Sequence, residues 1–301
     1  MVSSAEAAGA VRVLIDSIRS FGGPLSNAQV WVFDTDPHAG LSSGPAAPGV
    51  RVLPLNVPET PPGYWLADKV AACARAEALA GPGVKSLVWF DSCCLVLQPP
   101  VLLELPPEFD VALRPVHIRN VGLAAEAPLD DYWRRVYEAV GIADTSTVVE
   151  SFVDAQRIRA YYNTHVAAVN PGRGLFRQWQ ECFQALLADD GFRAGLDDRH
   201  RVFLHQAVFS ALVAARIEPA RIRALPPDYN YPYNLQGQVP PDRQPRVLND
   251  LTCAVWEGRS LDPGRMTDIE VREPLRAWLA ARTPLVSQIL DFPLTNPPRG
   301  V

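Results

Sequence analysis

Lysine is almost missing from this 301-residue chain: Lys69 and Lys85 are the only two, and arginine carries nearly all the positive charge. Basic residues do not exceed acidic ones either. Lys+Arg is 28 against Asp+Glu 33, a net charge of -5, which excludes the basic face of a free-standing nucleic-acid binder. No apolar run reaches the roughly 18 residues of a membrane span. The first residues show no basic segment followed by an apolar stretch, so no secretory signal is expected. Cysteine is sparse and scattered: Cys73, Cys93, Cys94, Cys182 and Cys253 form an odd set without C-x-x-C spacing. That pattern excludes a disulfide framework or a zinc knuckle and sets a cytoplasmic, reducing location as the expectation. Internal repeats and low-complexity tracts are absent. What the chain does have is 48% hydrophobic and 20% charged residues, a globular composition. Its 29 prolines, about twice the average share, predict rigid loops.

Apolar spacing at Leu14, Ile18 and Phe21 predicts a helix over 11–21, ended by Gly22-Gly23-Pro24. Gln29 to Phe33 reads as a buried strand running into Asp34, and Val50 to Leu53 as a second strand. Leu66, Val70, Cys73, Ala74 and Leu79 fall on one face of a helix over 65–80. Ser86 to Phe90 then runs directly into Asp91 and predicts a central parallel strand. Further strands are expected at 109–113, 161–169 and, as a last core strand, 222–225. Further helices are expected at 132–140, 175–186, around 202–213 and around 275–279. This alternation predicts an α/β sheet with helices on both faces.

In open α/β sheets, ligands bind beyond the carboxyl ends of the strands. That rule singles out Asp91, whose other reading is a cap or turn former. Arg114 follows another strand and can offer a planar fork to a diphosphate. His117 and Arg119 follow it closely. Tyr229 to Asn234 is aromatic and amide-rich, suited to stacking on a sugar ring or, equally, to a packed turn. His205 can join Asp91 at a metal or be an ordinary core histidine. Lys69 stands beside the apolar stripe of its helix.

Three segments together resemble the core of the GT-A glycosyltransferases, the nucleotide-diphospho-sugar transferases, nearest the glycogenin and galactosyltransferase-like group. They are Lys69 to Glu77, Val88-Trp89-Phe90-Asp91-Ser92-Cys93, and Val111 to Val116. Tyr161-Tyr162-Asn163 is similar to the group's acceptor-site strand, Trp179 to its following tryptophan, Leu204-His205-Gln206 to its Asp-Gln segment, and Leu225 to Asn230 to its Leu-Pro-x-x-Tyr-Asn element. The likeness covers about 11–235, which gives a core over 1–235 and a C-terminal extension over 236–301 packed on it. It implies an α/β fold of GT-A (Rossmann-like) type, a mixed and mostly parallel sheet flanked by helices. It also implies sugar transfer from a nucleotide-sugar donor, foremost a UDP-sugar, to an acceptor that the sequence does not identify. Asp91, Asn163 and Gln206 take the catalytic positions; Lys69, Asp91, Ser92, Arg114 and His117 face the donor. Asn163, His165, Tyr229, Asn230 and Tyr231 face the acceptor or sugar. The family's Asp-x-Asp pair holds Mn²⁺ or Mg²⁺, which offsets charge on the departing diphosphate.

The chain departs from that pattern at three points. Cys93 stands where the second carboxylate is usual, and a thiol is a poor ligand for a hard cation, leaving Asp91 and His205 as the metal candidates. His165 stands where glycine is usual and narrows the pocket. No strand is evident before residue 11, where the fold normally begins. Two readings follow: a transferase in which Lys69, Arg114 and His205 stand in for the cation, and a catalytically inactive sugar- or nucleotide-binding protein.

Overall fold

A computed structural model describes residues 1–3, 7–35, 48–64 and 66–282; residues 283–301 of the expected C-terminal extension lie outside the described residues. In chain order the elements are β1 (Val2–Ser3), α1 (Ala8–Phe21), β2 (Val30–Asp34), β3 (Val50–Pro54), α2 (Ala67–Leu79), β4 (Leu87–Phe90), β5 (Cys94–Val96) and β6 (Val111–Leu113). Then come α3 (Asp131–Val140), β7 (Val148–Glu150), β8 (Arg157–Arg159), β9 (Val166–Val169), α4 (Leu175–Ala188), α5 (Asp190–Ala194) and α6 (Asp198–Arg216). The described chain closes with β10 (Ile222–Ala224), β11 (Tyr231–Pro232), β12 (Cys253–Val255) and α7 (Leu275–Ala280). Side-chain carboxylates start three of the helices: Asp130, Asp189 and Asp197 accept the N–H groups of Trp133, Phe192 and His200.

Two ladders form the centre. One is parallel, in the order β1-β2-β3; the other runs β10-β6-β9-β4. Strand alternation sorts their side chains onto two faces. Phe33, Trp89, Val111, Leu113, Ala167 and Val169 pack with α2, α3, α4 and α6. Val30, Val32, Phe90, Ala112, Val166 and Ala168 pack with α1, β5 and β12. Helices therefore cover both faces, as the element order predicts. A third apolar cluster joins Val13 and Leu95 to Tyr231, Trp256, Leu275 and Leu279, and within it β12 pairs antiparallel with β5. Between β2 and β4 lies a mostly apolar hollow of about 310 Å³. Its walls include Val30, Trp31, Val84, Leu87, Leu103 and Phe176.

Four expectations need correction. A first strand exists: β1 pairs parallel with β2, Val2 opposite Phe33 and Ser3 opposite Asp34. It escapes pattern reading because two residues carry no periodicity. The expected central parallel strand β4 pairs antiparallel with β9, Trp89 opposite Ala167. An apolar run signals burial on both faces and says nothing of direction. The strand expected over 161–169 shortens to β9. Ahead of it, Asn163 Oδ1 takes the His165 N–H at 2.8 Å, a local bond that competes with the ladder. The expected last core strand, β10, is an edge strand with β6 as its partner, its residues half-buried or exposed.

Candidate active site

β4 delivers Asp91 to its carboxyl end, where the chain turns: the Cys94 N–H donates to the Asp91 carbonyl at 3.0 Å. On the far side, the Asp91 N–H donates to the His165 carbonyl at 2.9 Å. α2 supplies the counter-charge. Lys69 Nζ lies 2.8 Å from Asp91 Oδ2, and the indole N–H of Trp89 donates to Asp91 Oδ1 at 2.6 Å. Both carboxylate oxygens are therefore engaged. The lysine side chain is 3% exposed, whereas the aspartate keeps 18%, so solvent meets the carboxylate and not the ammonium. Burial pushes the Asp91 carboxyl up, but Lys69, His165 and the two hydrogen bonds outweigh it and hold it below the usual carboxylate range.

A relay continues inward. Lys69 also donates to Thr164 Oγ1 at 3.0 Å, and Thr164 meets His205 Nε2 at 3.2 Å. His205 Nδ1 lies 2.9 Å from the Val202 carbonyl, which can only accept. The ring proton is therefore on Nδ1, and Nε2 accepts from the threonine hydroxyl. Burial and the Lys69 charge lower the His205 pKa to about 3, so the ring is neutral. His205 thus reaches Asp91 through two intermediaries and does not share a ligand position with it. Gln206, next along α6, is buried beside the Tyr161 hydroxyl.

His165 sits over the mouth of the site. Its Nε2 is 4.0 Å from Asp91 Oδ2 and its side chain is 25% exposed. Burial lowers it to about 4 despite the nearby carboxylate. Asn163 Oδ1 holds its Nδ1 at 2.8 Å and also accepts from Asn230 Nδ2 at 2.8 Å. His117 stacks on His165 with centroids 6.3 Å apart and is buried.

Arg114 is placed differently from the sequence expectation. Its Nη1 donates to the carbonyls of Pro227, Tyr229 and Asn230, all within 3.0 Å, its plane covers the Phe152 ring, and it is buried. Among the described residues it is a clasp on the 227–230 turn, with no fork turned to solvent. The aromatic loop faces inward as well. The Tyr229 hydroxyl accepts the Leu102 N–H at 3.0 Å, and the Tyr231 hydroxyl donates to Gln236 at 2.6 Å. Asn230 takes φ 53, its N–H on Cys253 Sγ at 3.1 Å. The packed-turn reading describes Tyr229 and Tyr231, both buried.

The residues present do not fit a divalent cation. Lys69 and Trp89 already hold both Asp91 oxygens. The Cys94 hydrogen bond draws the Cys93 thiol down, but burial and the charges of Glu257 and Asp91 keep it above its usual range, hence protonated. Among the described residues no group of three His, Cys, Asp or Glu is placed to hold a metal.

Two carboxyls here were not singled out from the sequence. Asp68, in the first turn of α2, is raised to about 6 by burial and by Asp91, against the pull of the Lys69 N–H and its charge. Glu257 follows β12. Burial, with the Asp91 charge adding to it, raises its carboxyl to about 7, and nothing in the sequence ties it to Asp91. Thr164 was passed over within Tyr-Tyr-Asn-Thr-His, where a short polar residue beside a basic one gives no periodic signal.

The family model described as the Rhodobacterales glycosyltransferase domain matches residues 25–217. Among solved structures, the chain resembles the galactosyltransferase LgtC in complex with donor and acceptor sugar analogs, at 12% identity and a TM-score of 0.53. An active-site mutant of LgtC gives 11% identity and 0.54. Each alignment covers 93% of this chain and 94% of the other. No curated protein matches the sequence. Among the described residues, no helix is long and apolar enough to cross a membrane.

Proposed function

Because the chain belongs to the Rhodobacterales glycosyltransferase-domain family and has the GT-A fold, we propose that it moves a sugar from a nucleotide-diphosphate donor, a UDP-sugar first among them, to an acceptor hydroxyl. The observation that carries the placement is Asp91: a carboxylate at the carboxyl end of β4, fixed by Lys69 and Trp89 yet reachable by solvent. Residues 1–235 would form the transferase core and 236–301 an extension, and the pairing of β12 with β5 supports the packing of the extension's described part on that core. The five unpaired cysteines suit a reducing cytoplasm.

The chemistry asks for charge compensation as the diphosphate departs. Asp91, fixed in orientation, can accept donor hydroxyls. Asn163 and His165 line the same mouth and fit a sugar's polar rim. Lys69 sets the potential of the site from behind the carboxylate. Among the described residues Mn²⁺ or Mg²⁺ has no ready ligand set.

One specific observation favours the second reading, a binding protein without turnover. Arg114 and Tyr231, which the sequence places at the donor and the sugar, are buried and bonded elsewhere. Titration with UDP-glucose, UDP-galactose and GDP-mannose, with and without Mn²⁺, while following donor hydrolysis, separates the readings. Turnover that disappears in Asp91→Ala supports the transferase. Binding without turnover supports the second reading. Neither binding nor turnover removes both for these donors.

A further inference from the structure

Two strand edges border the hollow between β2 and β4. β1 covers the β2 edge only at Phe33 and Asp34, and the Met1 amine, 3.4 Å from the Trp31 carbonyl, ends that ladder. The Phe33 N–H donates to the Met1 carbonyl at 3.0 Å, and the Val30 N–H to the Gly49 carbonyl, on the β3 side, at 2.8 Å. Alternation along β2 therefore turns the Trp31 N–H to the same side as β1, beyond the reach of β1. On the opposite wall, the Asp91 N–H donates to the His165 carbonyl, so 91 and 165 form a hydrogen-bonded pair of the antiparallel ladder. Trp89 and Leu87 share that phase, and Val88 turns its N–H and carbonyl away from β9. Among the described residues β4 is the end strand of its ladder. Trp31 and Val88 both line the hollow.

Apolar groups surround these edges. Of the four exposed large apolar side chains among the described residues, three belong to this region: Val84 lines the hollow, Val101 follows Pro100 of its wall, and Leu79 lies three residues beyond Ala76 of its wall. Free strand edges between apolar walls suit one kind of occupant, an extended apolar segment. Its backbone would bond to the edges and its side chains would cover the walls.

The chain carries such a segment next to one wall. α7 ends against α1: the Trp278 ring meets Phe21 edge-on with centroids 5.3 Å apart, and Arg282 pairs with Asp16 at 3.2 Å. Ile18 of the same helix lines the hollow. Residues 283–301 follow Arg282, and between Pro284 and Pro293 they read Leu285-Val286-Ser287-Gln288-Ile289-Leu290-Asp291-Phe292. Five of those eight are apolar and none is proline, so each can donate to a ladder. At about 3.3 Å per residue the eight can extend about 26 Å, enough to run past the whole four-residue β4. We propose that residues 285–292 of this chain dock in the hollow as an added strand, bonded to the β2 edge at Trp31 and to the β4 edge at Val88.

Amide hydrogen exchange on the full chain tests the docking. The Trp31 and Val88 N–H groups should be protected in the wild type. Ile289→Asp, which sets a charge in the docked segment, should speed both by about tenfold or more. Thr295→Asp, outside the segment, should leave both at the wild-type rate. A chain ended after Arg282 should show the fast rates as well, which keeps the test decisive if the charged variant folds poorly. A short bismaleimide then identifies the occupant. In the double variant Val84→Cys and Ile289→Cys it should join the two positions within one chain, read by mass spectrometry of the linked peptides. A link between two chains would make a second copy the occupant. Fast exchange at Trp31 and Val88 in the wild type, or equal rates in wild type and Ile289→Asp, would leave the hollow without this segment. Each of these results overturns the proposal.

Discussion

The Lys69 ammonium sits 2.8 Å from Asp91 Oδ2 with the lysine almost wholly enclosed and the aspartate partly open. One partner faces the interior and the other faces the solvent. Losing either has different consequences, because an enclosed charge without its partner is costly while an open one can be hydrated.

Asp91→Asn should therefore destabilise the fold by about 3 kcal/mol, since it leaves the Lys69 ammonium enclosed without a counter-charge, and Lys69→Met by less, about 2 kcal/mol, since the carboxylate it leaves is partly open to water. Urea midpoints of the two single variants and the double variant give the coupling. Additive losses would mean that the pair contributes nothing as a pair.

Glu77 makes a second interior link. Its carboxylate, enclosed on α2, accepts the N–H groups of Phe176 and Arg177 at 3.1 and 3.0 Å and so caps α4, whose own N-cap position is Gly174. Glu77→Ala should cost about 2 kcal/mol and speed amide exchange at 176 and 177 before the rest of the helix. Unchanged exchange at those two amides would remove Glu77 as the cap.

The histidines set an acid limit. His165 and His205 are lowered to about 4 and about 3, chiefly by burial, so unfolding lets them take up protons that the folded chain refuses. Their contribution is complete above the unfolded histidine range, near pH 6.5, and is lost as pH falls toward the folded values. Asp68, raised to about 6, works in the opposite sense across part of that window: its contribution is full below the unfolded carboxylate range and fades as pH rises through 6. His117 is lowered by burial as well, and Glu257, raised to about 7, joins Asp68, so with three histidines against two carboxyls stability should decline from pH 6.5 to pH 4.5. Melting His205→Gln at both values checks this, because the variant should show a shallower decline than wild type.

Cys93→Asp restores a second carboxylate to the Asp91 turn, and Mn²⁺ affinity should rise measurably, read by electron paramagnetic resonance of the free ion. No change would show that Lys69 keeps Asp91 from a metal even when a second ligand is offered.

The helices were readable because their stripes are long. Tyr132, Trp133, Val136, Tyr137 and Val140 are all buried on α3, as their spacing predicts. The Asp91 turn was readable because a strand of four apolar residues ended in a charge. Strand direction was not, since β4 would carry the same residues in either orientation. Arg114 was misplaced for a related reason: its position after β6 was legible, but the carbonyls that capture it belong to residues 227–230, brought back by β10 and the turn after it. Glu257 carries no local signal, because the pairing of β12 with β5 is what brings its segment to the Asp91 turn, the Trp256 N–H on the Cys93 carbonyl.

The hollow between β2 and β4 is lined largely by apolar groups and stays partly open to water. Apolar surface left wet gains free energy when an apolar body covers it. In a chain ended after Arg282, a small aromatic dye should accordingly settle in this seam, and Trp31 and Trp89 on its walls would report the event by their emission. Replacing Val84, which also lines it, with a bulkier apolar residue would weaken the dye's binding.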